Sequence, residues 1–316
     1  MVFPPSGEQV ALVHGRFNAV VTEVGATLRS LEADSEPVIW EFPENEISSG
    51  DRGQVLAPWP NRLEDGSYRF GDAVGRAALN EPERSNAIHG FVRWLQWSIE
   101  ERAADRAVLS CVICPQPAYR FRVRLELSYV LGDGGLEVSC GATNTGDCLA
   151  PFGLGFHPYL FAGPGGIDQF EISLPGKRRL LLDRRGLPTG EESVSGSAFD
   201  LEDRVLNGFK LDGCYTRLAV GADGRWHAYL NRPGRRYEVW ADAAFAYAMC
   251  YTGDTLGELA DRRKAIAIEP MTCPPNALRT GTSLIELRPG EQWHASWGIG
   301  VAEATDERRG QSLRGR

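Results

Sequence analysis

The chain has 316 residues, 42% of them hydrophobic, which is enough for a large core in one all-β domain or two smaller domains. Its formal net charge of -8 argues against nucleic acid or an anionic membrane as the main partner. The first residues lack a basic segment followed by an apolar run, and no apolar stretch is long enough to cross a bilayer. These features predict a soluble cytoplasmic protein.

Short segments in which apolar and polar residues alternate recur along the chain and predict β-strands. In chain order they are NAVVTEVGATLRSLEA (18–33), PVIWEF (37–42), WLQWSIEE (94–101), FRVRLELSYV (121–130), LEVSCGATN (136–144), DQFEISLP (168–175), YEVWAD (237–242), FAYAMCY (245–251), KAIAIEP (264–270), SLIELRPGEQW (283–293) and HASWGIGV (294–301). The segments 121–130 and 136–144 flank the sequence LGDGG, which predicts an antiparallel hairpin.

Helical periodicity is almost absent, and only TLGELADRR (255–263) is compatible with a helical turn or two. Without alternating strands and helices, a doubly wound parallel sheet is excluded. No GxGxxG or Walker-type loop joins a strand to a helix, so a nucleotide cofactor is disfavoured. We therefore predict one all-β domain over residues 1–304, a large antiparallel β-sandwich with opposed sheets, followed by a polar, disordered tail at 305–316.

The seven cysteines are scattered through strand-like segments, an odd number that is typical of reduced thiols rather than of a disulfide framework. Cys111 and Cys114 form a CxxC motif, but they lie in an apolar run and no second CxxC occurs. We interpret both as core residues rather than as a zinc or redox site.

The stretch LAPWPNRLEDGSY (56–68) contains Trp59, Asn61 and Arg62, and two prolines that flank Trp59 stiffen the backbone. These side chains suit sugar recognition, because an indole covers an apolar C–H face while an amide and a guanidinium bind hydroxyl groups. A turn with a surface tryptophan and an ion-paired arginine is an equal alternative.

Two histidines lie in similar polar and aromatic surroundings. His89 precedes a glycine in NAIHGFVRW (86–94), so it can approach a ligand closely, although an ordinary hydrogen-bonded residue is the alternative. His157 lies in GLGFHPYLFAG (153–163), where Pro158 favours extended backbone and a ring that projects from a strand end. By itself His157 is best interpreted as a packed ring.

Two acidic residues complete the candidates. Asp212 precedes a glycine in LDGCYTRL (211–218), and its spacing alone favours a simple turn. Glu269 ends an apolar run in KAIAIEPMTCPPNAL (264–278), where a buried carboxylate is costly unless it is paired or functional. Burial would raise its pKa towards the range of a general base, and no obvious local partner for a salt bridge is present.

Metal and hydrolase sites are poorly supported. The histidines that could supply metal ligands are His89, His157, His227 and His294. None of them shows HxH, HxxxH or HExxH spacing, so we predict no metal site. The chain also lacks the GxSxG motif of a serine hydrolase.

Taken in order, these motifs resemble the aldose 1-epimerase (galactose mutarotase) family. The resemblance runs from GATLRSL to WGIGV and rests on PWPNRLEDGSYRF, IHGFVRWLQW, FHPYLF, LDGCYTRL, IEPMTCPPNAL and LRPGE. It implies a β-supersandwich that binds a small-molecule sugar in an open cleft. We expect the protein to be a monomer or homodimer. It also implies an isomerase that needs no cofactor.

The resemblance assigns roles to individual residues. It implies that His157 and Glu269 are catalytic, and that Arg62, His89 and Asp212 bind the sugar. In the implied chemistry, the Glu269 carboxylate removes the C1 hydroxyl proton while protonated His157 gives a proton to the ring oxygen. An unperturbed histidine titrates near 6.5, so we expect protonated His157 to be available near neutral pH.

Two departures from the family pattern concern the substrate. Leu160 follows Tyr159 where many members have phenylalanine, and LAPWP replaces the glycine-rich stretch that precedes the family's Asn-Arg. One alternative is a hexose-6-phosphate 1-epimerase, which would need cations such as Arg62 and Arg93 to hold the phosphate. The other is a non-catalytic carbohydrate-binding module, which would not need both an acid and a base.

Overall fold

The computed structural model describes residues 4–163, 165–232 and 234–302, so the tail predicted at 305–316 lies outside the described residues. Strands dominate, and in chain order they are β1 (Gln9–His14), β2 (Phe17–Thr22), β3 (Leu28–Ala33), β4 (Glu36–Pro37), β5 (Val55–Leu56), β6 (Arg62–Glu64), β7 (Ser67–Phe70), β8 (Ala73–Arg76), β9 (Asn86–Ile88), β10 (Ser98–Arg102), β11 (Arg106–Ile113), β12 (Val123–Gly132), β13 (Gly135–Asn144), β14 (Ala150–Phe152), β15 (Gly155–Phe156), β16 (Tyr159–Phe161), β17 (Glu171–Ser173), β18 (Gly176–Leu182), β19 (Pro188–Ser193), β20 (Arg204–Val205), β21 (Asp212–Leu218), β22 (Arg225–Arg232), β23 (Arg235–Asp242), β24 (Tyr247–Tyr251), β25 (Ala265–Met271), β26 (Ile285–Leu287) and β27 (Gln292–Ala302).

Helical structure is confined to single turns in the described residues. One α-helical turn, α1, spans Ala277–Thr280, and the 3₁₀ turns span Pro82–Arg84, Val92–Trp94, Ile167–Gln169 and Leu259–Asp261. The last of these lies within TLGELADRR, as its weak helical pattern predicts.

Two large antiparallel sheets form the body of the protein. One has nine strands in the order β10-β11-β12-β13-β27-β23-β22-β17-β20, and the other has eight, in the order β19-β18-β21-β24-β25-β15-β5 with β16 also paired to β25. The predicted hairpin is confirmed as β12–β13, in register from Val123 opposite Asn144 to Gly132 opposite Gly135.

The core lies between these sheets. Phe156 of β15 contacts Trp297 of β27 with ring centroids 4.9 Å apart, so the two sheets face each other. On β13, every second side chain from Leu136 to Ala142 is buried, as the alternating sequence predicts. The predicted all-β antiparallel sandwich is therefore confirmed.

The interpretation of the CxxC motif is half wrong. Cys111 is buried in the core, whereas Cys114 is exposed because β11 ends at Ile113 and the chain leaves the sheet there. All seven cysteines are free thiols.

Strand register places the candidate residues together. On β25, Met271 lies opposite Gly155 of β15, and Ala267 lies opposite Tyr159 of β16. The same register places Glu269 opposite His157, in the break between these two short strands.

Candidate active site

His157 and Glu269 form a buried pair. The distance between His157 Nε2 and Glu269 Oε1 is 3.3 Å, and the residues are only 5% and 2% exposed. Pro158 follows the histidine, and the backbone N–H of Ile268 donates to the Pro158 carbonyl at 3.3 Å, so the chain continues along β25 across the break. The structure thus brings together two residues that are 112 positions apart in the sequence.

Burial opposes a charge on either member of the pair. It lowers the pKa of His157 to about 4, against an ordinary value of 6.5, while nearby Asp51 raises this pKa in part. Burial also raises the pKa of Glu269 well above 4.5, with further increases from Asp212 and Asp51. The expectation that His157 is protonated near neutral pH without adjustment is therefore wrong for the unliganded protein. Both shifts favour the uncharged forms, a neutral imidazole on His157 and a protonated carboxyl on Glu269.

Each member of the pair also has an atom without a partner among the described residues. His157 Nδ1 and Glu269 Oε2 are both buried and accept or donate no hydrogen bond there. Buried polar atoms normally have hydrogen-bond partners, so two atoms without one on neighbouring side chains need an explanation. A bound polar ligand is a consistent one.

His89 presents a defined hydrogen-bond donor beside this pair. Its Nδ1 accepts the backbone N–H of Asn61 at 3.1 Å, and burial lowers its pKa well below 6.5. The ring is therefore neutral and carries its proton on Nε2. Its centroid is 5.5 Å from that of His157, with the two rings edge to face.

The loop that carries His89 is tightly constrained. His89 and Gly90 both have left-handed backbone, with φ of 66° and 62°. A Cβ atom on Gly90 would lie 1.9 Å from the Ala57 carbonyl oxygen, so only glycine fits there. Asn61 is buried on the facing segment, and its Oδ1 accepts the N–H of Arg62 at 2.9 Å.

Arg62 and Asp212 also line the cleft. The Arg62 guanidinium donates to both oxygens of Glu81 at 2.9 Å, so it lines the cleft while also being ion-paired. Asp212 is the first residue of β21 and not part of a turn. Asp212 is exposed to solvent, but the surrounding protein partly desolvates its carboxyl group and raises the pKa of that group. The nearby positive charge of Arg62 partly offsets this increase.

These side chains surround one open cleft with a volume of about 430 Å³. This volume is within the range of small-molecule sites. The predicted residues that line it are Asn61, Arg62, His89, His157, Asp212 and Glu269.

The prediction that Trp59 is a sugar platform is wrong. Trp59 is 2% exposed and packs edge to face against Phe91 at 4.9 Å, away from the cleft lining. The preceding residues Ala57 and Pro58 accept hydrogen bonds from Phe91 and Gly153, which fixes the segment between two neighbours and turns the indole into the core.

Leu160 does not mark substrate contact either. It is fully buried and pairs with Ile39, so its departure from the family pattern affects packing. Tyr159, on the other face of β16, stacks on the His157 ring at 4.9 Å.

Sequence reasoning missed Asp51 entirely and named Arg93 only as a possible phosphate ligand. Asp51 lines the cleft, forms a close ion pair with Arg93, and its Oδ2 lies 3.7 Å from His89 Nε2. Nothing in the local sequence SSGDRGQ distinguishes this aspartate from an ordinary turn residue.

Asp51, His89 and His157 also raise the question of a metal, because one ligand atom from each lies within 4.8 Å of the others. Arg93 already neutralises Asp51, which disfavours a cation there. His227 and His294 lie on β22 and β27 of the nine-stranded sheet, outside this group. The ring nitrogens of His227 are hydrogen-bonded to Asp223 and Glu238.

The opposed sheets and the open cleft define a galactose mutarotase-like β-sandwich, and solved structures agree. An aldose epimerase homologue from C. elegans matches with a TM-score of 0.84 and 17% identity, covering 94% of this chain and 99% of that one. Galactose 1-epimerase from Lactobacillus acidophilus matches with a TM-score of 0.79 and 20% identity, covering 94% and 95%.

The sequence comparison defines the family. The model of the aldose 1-epimerase family matches residues 8–299, and the chain belongs to that family. The uncharacterized protein YihR of Escherichia coli K12 is 29% identical over 288 residues, which cover 90% of this chain and 91% of YihR. No helix in the described part of the chain is long and apolar enough to span a membrane.

Proposed function

We propose that this protein is an aldose 1-epimerase that interconverts the α and β anomers of a free hexose. The observation that carries the proposal is the buried His157–Glu269 pair, 3.3 Å apart at the floor of an open cleft. Each of the two side chains keeps one buried polar atom without a partner among the described residues. Family membership over residues 8–299 supports the same activity.

The reaction needs two proton transfers. One group removes the proton of the C1 hydroxyl while the other protonates the ring oxygen, which breaks the C1–ring oxygen bond and forms an aldehyde. After rotation about C1–C2, the ring closes on the other face and both protons return. No electron or chemical group is transferred overall, so acid–base chemistry alone balances the reaction.

We assign the base role to Glu269 and the acid role to His157. In the uncharged forms the proton is on Glu269, but its transfer across the 3.3 Å contact gives an imidazolium and a carboxylate with the same total charge. Glu269 then accepts the C1 proton and His157 donates to the ring oxygen. The two exchange roles during ring closure, which restores the starting state.

The remaining residues would orient the sugar. His89 offers a neutral Nε2–H donor, and Arg62 offers a guanidinium held by Glu81. Asp212 offers an acceptor in the cleft lining, and Asn61 joins the two by hydrogen bonds to Arg62 and His89. Such fixed polar groups lower the entropic cost of reaching the reactive geometry.

An unphosphorylated sugar fits this charge arrangement better than a hexose 6-phosphate. The two arginines that line the cleft, Arg62 and Arg84, both contact Glu81, and Arg93, outside the lining, is paired with Asp51. Acidic side chains outnumber arginines in this lining, which disfavours a phosphate dianion.

NMR anomer-exchange measurements with a panel of free aldoses and aldose 6-phosphates test this function. We expect accelerated exchange with at least one free hexose and weaker acceleration with its 6-phosphate. Saturable binding without acceleration on any sugar would instead indicate a carbohydrate-binding module. Faster exchange with phosphorylated sugars would reassign the substrate class.

A further inference from the structure

The turn at residues 50–54 is docked directly on His157. The His157 N–H donates to the Gln54 carbonyl at 3.1 Å, and the Gly53 N–H donates to the His157 carbonyl at 2.9 Å. A hydrogen bond from Gln54 N–H to the Asp51 carbonyl, at 3.1 Å, closes the turn. Asp51 is therefore held at a fixed position beside the histidine.

Two further features make this turn rigid. The Arg52 guanidinium lies 4.1 Å from the Trp40 ring centroid and donates to the carbonyls of Ser49 and Glu41. A Cβ on Gly53 would lie 2.0 Å from the Leu28 carbonyl oxygen, so the backbone of the turn is packed against β3 at a distance that only glycine permits.

The Asp51 carboxylate connects three side chains of the site. One oxygen is ion-paired with Arg93, which is 6% exposed, and the other lies 3.7 Å from His89 Nε2. Its charge also acts on His157, whose ring contacts His89 edge to face. The Asp51 side chain remains 27% exposed to the cleft.

We propose that Asp51, held by Arg93, is a positioning residue whose negative charge stabilises the imidazolium form of His157 and directs the His89 Nε2–H into the cleft. This inference rests on the proposed epimerase function. It explains how a buried histidine acts as an acid: the Glu269 carboxylate loses its charge when it accepts the C1 proton, whereas Asp51 gives the imidazolium a counter-charge that does not change during the reaction.

The other ionisable groups around His157 do not supply this effect. Arg93 opposes protonation of His157, but less strongly than Asp51 favours it. Arg62 is paired with Glu81, and Asp212 acts on Glu269. Tyr159 stacks on the ring, and burial raises its pKa, so it stays neutral. His89 is neutral as well.

The test is Asp51→Asn, which retains the size of the side chain and tolerates the left-handed backbone at this position, where φ is 61°. We expect kcat to fall by about tenfold or more while KM changes by less than about threefold. We also expect the pH profile of kcat to move by roughly one unit to lower pH, because loss of the charge lowers the pKa of both pair members.

Asp34→Asn is the matched control. Asp34 also has left-handed backbone, with φ of 56°, and pairs with Arg16 at 2.9 Å, but it does not line the cleft. We expect unchanged kcat and an unchanged pH profile.

The double variant Asp51→Asn/Arg93→Met separates the proposed role from simple neutralisation of Arg93. We expect it to remain impaired, with its pH profile still below that of the wild type. Recovery of wild-type kcat and pH profile in the double variant would overturn the inference, and so would an unshifted profile in Asp51→Asn. If the wild type accelerates no sugar, the proposed function itself fails, which is a different result.

Discussion

The side chains of His157 and Glu269 show how burial determines protonation at the scale of single residues. A carboxyl that is 2% exposed keeps its proton above its ordinary pKa of 4.5, whereas its unfolded counterpart loses it. Glu269 therefore contributes stability at low pH that is lost as pH rises towards its folded pKa.

Glu269→Gln tests this at the same scale. Glutamine does not titrate, and His157 is retained in both proteins. The free energy of unfolding of the variant minus that of the wild type should therefore increase between pH 5 and pH 8. We expect the difference to grow by about 1 kcal/mol or more, measured by urea denaturation. Glu126→Gln, at an exposed position on β12, should show a constant difference. A difference for Glu269→Gln that shrinks with pH would contradict the raised pKa.

Residue chemistry alone could suggest Glu269, and His157 only together with the family resemblance, but it could not locate Asp51 or exclude Trp59. Asp51 lies in a turn whose hydrogen bonds join it to His157, 106 residues further along the chain. Trp59 is directed inward by contacts with two distant segments. Neither set of contacts can be predicted from the neighbouring residues in the sequence.

At the scale of elements, the strands that alternate clearly were predictable, and the short ones were not. The β12–β13 hairpin follows from period-two alternation around a glycine-rich turn. The two-residue strand β15 and the three-residue strand β16 are too short to show a period, and their break at His157 is what opens the cleft beside Glu269.

The loop after β9 provides a test at this scale. Gly90→Ala would place a Cβ 1.9 Å from the Ala57 carbonyl oxygen and displace His89. We expect a loss of about 1–3 kcal/mol in the free energy of unfolding together with reduced sugar affinity.

Gly71→Ala is its control, because Gly71 is also left-handed, with φ of 54°, yet its added Cβ would meet nothing within 4 Å. This variant should cost only about 1 kcal/mol for the backbone strain and leave affinity unchanged. Equal effects of the two substitutions would show that close packing at Gly90 is unimportant.

At the scale of the whole molecule, the fold was the most predictable feature. Antiparallel alternation without helices leaves few architectures, and the ordered motifs are those of the aldose 1-epimerase family, to which the chain belongs. The choice of sugar is harder to predict, because under the proposed function it would depend on how hydroxyl groups meet Arg62, His89 and Asp212, which come from separate strands and loops.

The central claim is that the His157–Glu269 pair performs the proton transfers of anomer interconversion. The most direct test is the anomer-exchange rate, measured by NMR near neutral pH for the wild type, His157→Asn, Glu269→Gln and the control His294→Asn, an exposed histidine on β27. We predict that each pair variant remains folded and loses about 10²–10⁴-fold in rate, while the control stays within roughly twofold of the wild type. A rate close to that of the wild type in either pair variant would contradict the account.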